Sequence, residues 1–320
     1  MILALCAPGV GDLATAVPAL RAVRAAFVAR TLALAAPAWL VPLAELVGGI
    51  DRVLPAAGLA PNRWTTPGPE VAVNLHGCGP ESHRLLSAVR PAKLWAFANA
   101  EAAHLDGPDW DEDEHETQRW CRLLGYYGVA ADAADLALAV PQTPAPHGVT
   151  IVHPGAKAPG RRWPPDRFAA VARVLATSGH HVVVTGSADE TDLSVRVARG
   201  AGLPAAAVLA GRTGLATLAA LVAHARLVIS GDTGIAHLAT AYRVPSVVLF
   251  GPVPPRRWGP PPGRAYHRAI WHGGLGQRGA TGPAAHPALL AVRPEEVLAA
   301  AAEAEHARHP SRRRDVHTPV

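Results

Sequence analysis

Arg226-Leu-Val-Ile-Ser230 runs directly into Gly231-Asp-Thr-Gly234 and then into Ile235-Ala-His-Leu-Ala-Thr-Ala-Tyr242. An apolar run ending in glycine reads as a strand buried on both faces, and the stretch from Ile235 to Tyr242 reads as a helix. A strand, a tight glycine turn and a helix together make the repeating unit of a parallel sheet. Small residues at the turn let a ligand approach the backbone, and the first N–H groups of the helix favour a negative group there. The turn through Asp232, Thr233 and Gly234, with His237 following on the helix, is therefore the most informative stretch of the chain.

Working outward, the same alternation recurs. Val149-Thr-Ile-Val-His153 reads as a strand, Pro165 to Thr177 as a helix, His181 to Thr185 as a strand, Leu215 to Ala225 as a helix and Ser246 to Phe250 as a strand. The first of these strands ends in His153-Pro-Gly-Ala-Lys157, followed by Arg161-Arg162-Trp163-Pro164. A glycine turn with clustered cations entering a helix is a reasonable way to hold a diphosphate, so Gly155, Lys157, Arg161 and Arg162 join the candidate set. Gly186, which closes the next strand, is placed with them. Trp163 and Phe168 read as packing residues.

The amino-terminal half has the same grammar. Met1 to Ala7 is an apolar run ended by Pro8-Gly9, helical spacing follows from Leu13 to Phe27, and further apolar runs occupy Thr31–Ala35, Arg52–Leu54 and Val71–Asn74. The first turn, Gly9-Val-Gly11-Asp12, even satisfies the loose dinucleotide pattern G-x-G-x-x-A. A nicotinamide enzyme also needs an acid at the end of the second strand to hold the ribose, and Leu34-Ala-Ala-Pro37 has none. On spacing alone Asp12 reads equally as a helix N-cap and as a ligand or catalytic carboxylate, roles that are compatible.

The 320 residues, 49% hydrophobic and 17% charged, indicate a globular chain of two domains. Pro141 to Gly148 is proline-rich and aperiodic, which predicts a linker at 141–148 between halves at 1–140 and 149–305. Residues 251–292 are rich in proline and glycine and are expected to be irregular. A closing helix is expected from Pro294 to Glu305, followed by a basic, mobile tail at 306–320 that contains Arg312-Arg313-Arg314.

The net charge of +5 is scattered rather than clustered, which argues against a nucleic-acid partner. Cys6, Cys78 and Cys121 are widely spaced and odd in number, as in a reducing cytoplasm. No signal peptide or spanning segment is visible, so a cytoplasmic chain with at most peripheral membrane contact is expected. Asp109-Trp-Asp111-Glu-Asp113 matches the D-x-D pattern of metal-dependent transferases. It follows Gly107-Pro108 rather than a strand and leads into a helix from about Glu114, where acids are ordinary. The histidines show no ligand spacing, so no metal is expected.

Taken together and in order, G-x-G-D, H-P-G-A with R-W-P, G-D-T-G-x-x-H-L, F-G-P (Phe250 to Pro252) and R-W-G-P (Arg257 to Pro260) resemble glycosyltransferase family 9, the ADP-heptose:lipopolysaccharide heptosyltransferase group. The resemblance covers nearly the whole chain. It implies an α/β GT-B fold of two Rossmann-like, doubly wound domains facing a cleft. The donor would lie mainly on the carboxy-terminal half and the acceptor mainly on the amino-terminal half. It further implies that Asp12 is the base, that the G-D-T-G segment with His237 meets the donor's sugar and diphosphate, and that ADP-heptose is the donor. Arg162 stands where better-known heptosyltransferases have lysine, keeping the charge and adding a bidentate fork. Gly9, Gly11, Glu114 and Glu116 are expected near the acceptor side, Glu114 and Glu116 being the next carboxylates after Asp12. The expected reaction is inverting, metal-independent transfer from a nucleotide sugar to an acceptor hydroxyl of a glycan, lipid or small metabolite. The competing readings are a non-catalytic nucleotide-sugar-binding protein of the same fold and a nicotinamide-dependent dehydrogenase.

Overall fold

The computed structural model describes residues 1–60, 64, 68–274 and 284–308. The expected tail beyond Arg308, with its arginine run, lies outside the described residues.

The first half is built from β1 (Ile2–Cys6), α1 (Val10–Ala26), β2 (Leu32–Ala36), α2 (Val41–Val47), β3 (Arg52–Pro55), β4 (Val71–Leu75), α3 (Pro80–Ser87), β5 (Lys93–Trp95) and α4 (Glu116–Tyr126). Its strands pair in parallel in the order β3-β2-β1-β4-β5. β1, β2 and β4 are buried along their full length, which is why they read as unbroken apolar runs.

The second half contains β6 (Thr150–His153), α5 (Pro165–Thr177), β7 (Val182–Val184), α6 (Thr191–Ala201), α7 (Leu215–Ala223), β8 (Leu227–Gly231), α8 (Gly234–Ala241), β9 (Ser246–Phe250), α9 (Pro255–Trp258), β10 (His267–Trp271), α10 (Pro287–Ala291) and α11 (Pro294–Arg308). Its parallel order is β10-β9-β8-β6-β7. Each sheet therefore reverses strand order beside its first strand, between β1 and β4 and between β6 and β8. Open parallel sheets bind ligands outside the carboxyl ends of their strands at such switch points.

Three expectations need correction. The segment 251–292 is not irregular throughout: its described residues include α9, β10 and α10, and β10 extends the second sheet. The closing helix continues past Glu305 to Arg308. The stretch without regular structure begins well before residue 141, directly after α4, and its early part is tied to the first half. There Ala139 donates its N–H to Leu46 at 3.0 Å, and Arg21 donates to the Ala137 carbonyl at 2.6 Å.

The two halves meet where α1 packs against α8. A methyl group at Gly11 would stand 2.9 Å from His237 Cδ2, and one at Gly234 would stand 2.6 Å from Val10 Cβ. These glycines are needed for a close helix crossing as well as for any approach to a ligand.

Candidate functional site

Both switch points open into one cavity of about 830 Å³ between the halves. The amino-terminal half contributes Gly9, Gly11 and Asp12 from the end of β1 and the first turn of α1. The carboxy-terminal half contributes Lys157, Arg161 and Arg162 from the segment after β6, Gly186 from beyond the end of β7, Asp232 and Thr233 from the turn after β8, and Gly234 and His237 from α8.

Asp12 is not the N-cap. Gly9 caps α1, and Asp12 lies in the first turn with its carboxylate folded back over Gly9, so that a methyl at Gly9 would meet Oδ2 at 2.1 Å. The backbone N–H groups of Gly9 and Asp12 favour its ionised form. Burial pushes its pKa above the usual aspartate range, against the opposing pull of His76, those N–H groups and Lys157. His76 follows β4 on the other side of the switch point, and burial lowers its own pKa while Asp12 counteracts this. A raised pKa brings a carboxylate toward the range in which a general base works best.

Across the cavity, Arg161 donates from Nη2 to Asp232 Oδ2 and to the Asp232 carbonyl, both at 2.7 Å. The Asp232 carboxylate thus fixes the loop after β8 through Oδ2 while the residue still lines the cavity. Arg162 donates from Nε to the Ala156 carbonyl at 2.9 Å and faces Glu190 Oε1 at 3.5 Å. Lys157 is exposed and has no hydrogen-bond or ion-pair partner among the described residues, which leaves it the most available cation. Thr233 is the N-cap of α8 but makes no side-chain capping bond. The first N–H groups of α8 start at the cavity wall, where they favour an anion.

His237 is half-buried and its pKa falls to about 4, through desolvation first and then the nearby charges of His115 and Arg161. The ring is neutral at ordinary pH and packs edge-on against Trp258 with centroids 5.8 Å apart, so it supplies no cation for a diphosphate. Gly155 does not line the cavity. A methyl there would strike the Glu190 carboxylate at 2.1 Å, and one at Gly186 would meet Glu190 Cβ at 3.1 Å, so both glycines make room for Glu190. Glu190 itself was readable from Ser187-Ala-Asp-Glu190, the capping-box pattern that the structure forms. His76 had no local signal beyond its place after a strand.

Glu114 and Glu116 are not brought to the cavity. Glu114 is clasped by Arg122 at 2.7 to 3.0 Å. Glu116 is buried against Arg119, and burial pushes its pKa up to about 7 despite that partner. The acids of the D-x-D stretch instead join the halves: Asp113 receives Arg256 at 2.8 Å and Glu112 receives Arg257 at 2.7 Å. His115 Nε2 adds a bond to the Gly259 carbonyl at 2.9 Å. Among the described residues no group of three or more His, Cys, Asp or Glu side chains is placed to hold a metal ion. No helix among them is long and apolar enough to cross a membrane. Trp163 and Phe168 pack edge to face in the core, as expected.

Two Rossmann-like parallel sheets of five strands, facing each other across one cavity, place the chain in the GT-B class of α/β proteins. Residues 113–272 match the model of glycosyltransferase family 9 (heptosyltransferase), and the chain belongs to that family. Lipooligosaccharide heptosyltransferase 2 of Haemophilus influenzae is 32% identical over 151 residues, 45% of this chain and 44% of that protein. The curated relatives it matches are spanned over only 33% to 44% of their length. The structure of Escherichia coli ADP-heptose lps heptosyltransferase II superposes with a TM-score of 0.74 at 21% identity, covering 96% of this chain and 99% of that one. The iron-containing dodecameric glycosyltransferase TibC of enterotoxigenic E. coli H10407 gives 0.55 at 13% identity, over 85% of this chain and 62% of that one.

Proposed function

We propose that this chain transfers a sugar from an ADP-linked donor, a heptose in the first instance, to an acceptor hydroxyl with inversion and without a bound metal. The observation that carries the reading is the placement of Asp12, whose pKa is raised by burial, across one cavity from Lys157, Arg161, Arg162 and the start of α8. The heptosyltransferase names of the relatives support the donor sugar. Residues 149–305 would hold the donor, residues 1–140 would present the acceptor, and 141–148 would join them.

In this reading the acceptor O–H donates its proton to the Asp12 carboxylate as its oxygen forms a bond to the anomeric carbon. The bond from that carbon to the donor phosphate breaks on the opposite face, and its electrons leave with the nucleoside diphosphate. Negative charge grows on the departing phosphate. Lys157, the outer edges of Arg161 and Arg162, and the N–H groups at the start of α8 line the cavity and stabilise that charge as it develops. Asp12 then returns its proton to solvent.

Thermal melting with nucleotides tests the donor assignment. A ligand at 100 times its dissociation constant adds about 2.7 kcal/mol of stability. ADP and ADP-heptose should raise the melting temperature while UDP and GDP do not. Stabilisation by UDP-sugars, with no response to ADP, contradicts it.

A further inference from the structure

His115 is the N-cap of α4, and both of its ring nitrogens are used. Nδ1 accepts the Thr117 backbone N–H at 3.2 Å, which caps the helix, while Nε2 donates to the Gly259 carbonyl of the other half at 2.9 Å. Gly259 directly follows α9, whose last residue, Trp258, lines the cavity and meets His237 edge-on. Arg256 and Arg257, just before Trp258, are held by Asp113 and Glu112. Three bonds from the loop 109–115 of the amino-terminal half therefore bracket a side chain in the wall of the cleft. That loop takes its shape from α4: the buried Arg119 donates from Nη2 to the carbonyls of Asp111 at 2.7 Å and Glu114 at 2.9 Å, and its guanidinium lies 4.0 Å from the Trp110 ring. α9 has only four residues and no side-chain cap, so its position depends on such outside contacts. The two arginine pairs lie at the surface, where ion pairs fix position weakly. His115 is half-buried, and with Gly259 and His237 it walls a separate small chamber of about 10 Å³.

We propose that His115 is a positioning residue for the cleft: its bond to Gly259 sets Trp258, and through Trp258 the ring of His237, in the cavity wall. The inference rests on the reading of that cavity as the site of sugar transfer. Trp258 and His237 belong to the carboxy-terminal half, yet the group that fixes them comes from the other half. The spacing of the halves and the shape of the wall are thereby set together, because parting the halves breaks the bond and releases Trp258. Transfer between two bound partners depends on such placement, since small displacements of the positioning groups slow a reaction steeply.

Two substitutions separate this role from helix capping. Asparagine puts its side-chain oxygen near the place of Nδ1 and is among the best N-caps, but it is too short to reach Gly259. Glutamine puts its amide nitrogen near the place of Nε2, which keeps the crossing bond and gives up the cap. The measurements are melting temperature, kcat/KM for the donor on an acceptor that the unaltered chain glycosylates, and hydrogen exchange of the Arg257 and Gly259 amides, which donate to Pro254 and Pro255. His115→Asn should melt like the unaltered chain, speed exchange at both amides and lower kcat/KM about ten- to hundredfold. His115→Gln should melt lower, keep the slow exchange and stay within a few-fold in kcat/KM. Unchanged exchange and kcat/KM in His115→Asn overturn the proposal and leave His115 a cap. Faster exchange with unchanged kcat/KM overturns it as well, since the crossing bond then does nothing for the reaction. Equal losses in both variants overturn it by assigning the effect to α4. If the unaltered chain transfers no sugar from any nucleotide donor while His115→Asn still speeds the exchange, the functional reading fails, and the positioning role with it.

Discussion

Arg161 reaches from the turn after β6 to grip both the carboxylate and the backbone carbonyl of Asp232, which begins the turn after β8. One guanidinium therefore ties together the two loops that flank the switch point of the second sheet. The Asp232 side chain is 9% exposed, so removing its partner leaves a buried carboxylate without compensation. Arg161→Ala should cost about 2 kcal/mol of stability, in the range for stranding a buried acceptor. In a double-mutant cycle with Asp232→Ala the two losses should be far from additive. Additive losses in urea denaturation would show that the pair is not coupled.

The helix crossing makes a prediction of its own. Alanine at Gly234 would press against Val10 and alanine at Gly11 against His237. Either change should lower stability by about 1–3 kcal/mol, the usual cost of overpacking, and should weaken donor binding by spreading the halves. A melting temperature and ADP affinity unchanged in Gly234→Ala would contradict the close crossing.

The pH profile follows from the environment of Asp12. A base must be ionised to work, so kcat/KM should fall as pH drops through the Asp12 pKa, which burial has raised. The acid limb should therefore lie above that of an exposed aspartate, whose pKa is about 3.9. His76 pulls the Asp12 pKa down, so His76→Ala should move the limb to higher pH. A limb that stays in place, or moves to lower pH, would remove His76 from the account.

Turnover should persist in EDTA, because the leaving diphosphate has cations and a helix start to receive it. Loss of turnover in the chelator, restored by a divalent ion, would reverse that assignment. Lys157→Ala should then be nearly as active as the unaltered chain with the ion present.

Much of the fold was legible because parallel strands buried on both faces leave continuous apolar runs. Ser246–Phe250 and the helix from Pro165 to Thr177 have the bounds that the pattern predicts. β5 was not legible, since Lys93-Leu-Trp95 is a three-residue edge strand with too little pattern to stand out. β10 was hidden among the prolines and glycines of 251–292, because its pairing with β9 comes from the sheet and not from local sequence. The turns that form the cavity were visible, but the state of their side chains was not. The bond that Arg161, 71 residues away, makes to Asp232 could not be read from either motif. Glu116 looked available although Arg119, its partner, stood one helical turn along. Trp39 and His76 carry no motif; only the topology brings Trp39 to the cavity and His76 within electrostatic reach of Asp12.

The most direct test is Asp12→Asn, with donor turnover on an acceptor that the unaltered chain glycosylates and ADP affinity measured on the same preparation. Asparagine keeps the size of the side chain but cannot take the acceptor's proton. Turnover should fall by about 10²–10⁴, the contribution of a general base, while ADP affinity and melting temperature stay nearly unchanged. Near-normal turnover with unchanged ADP affinity would show that Asp12 only secures the first turn of α1 and that the base lies elsewhere.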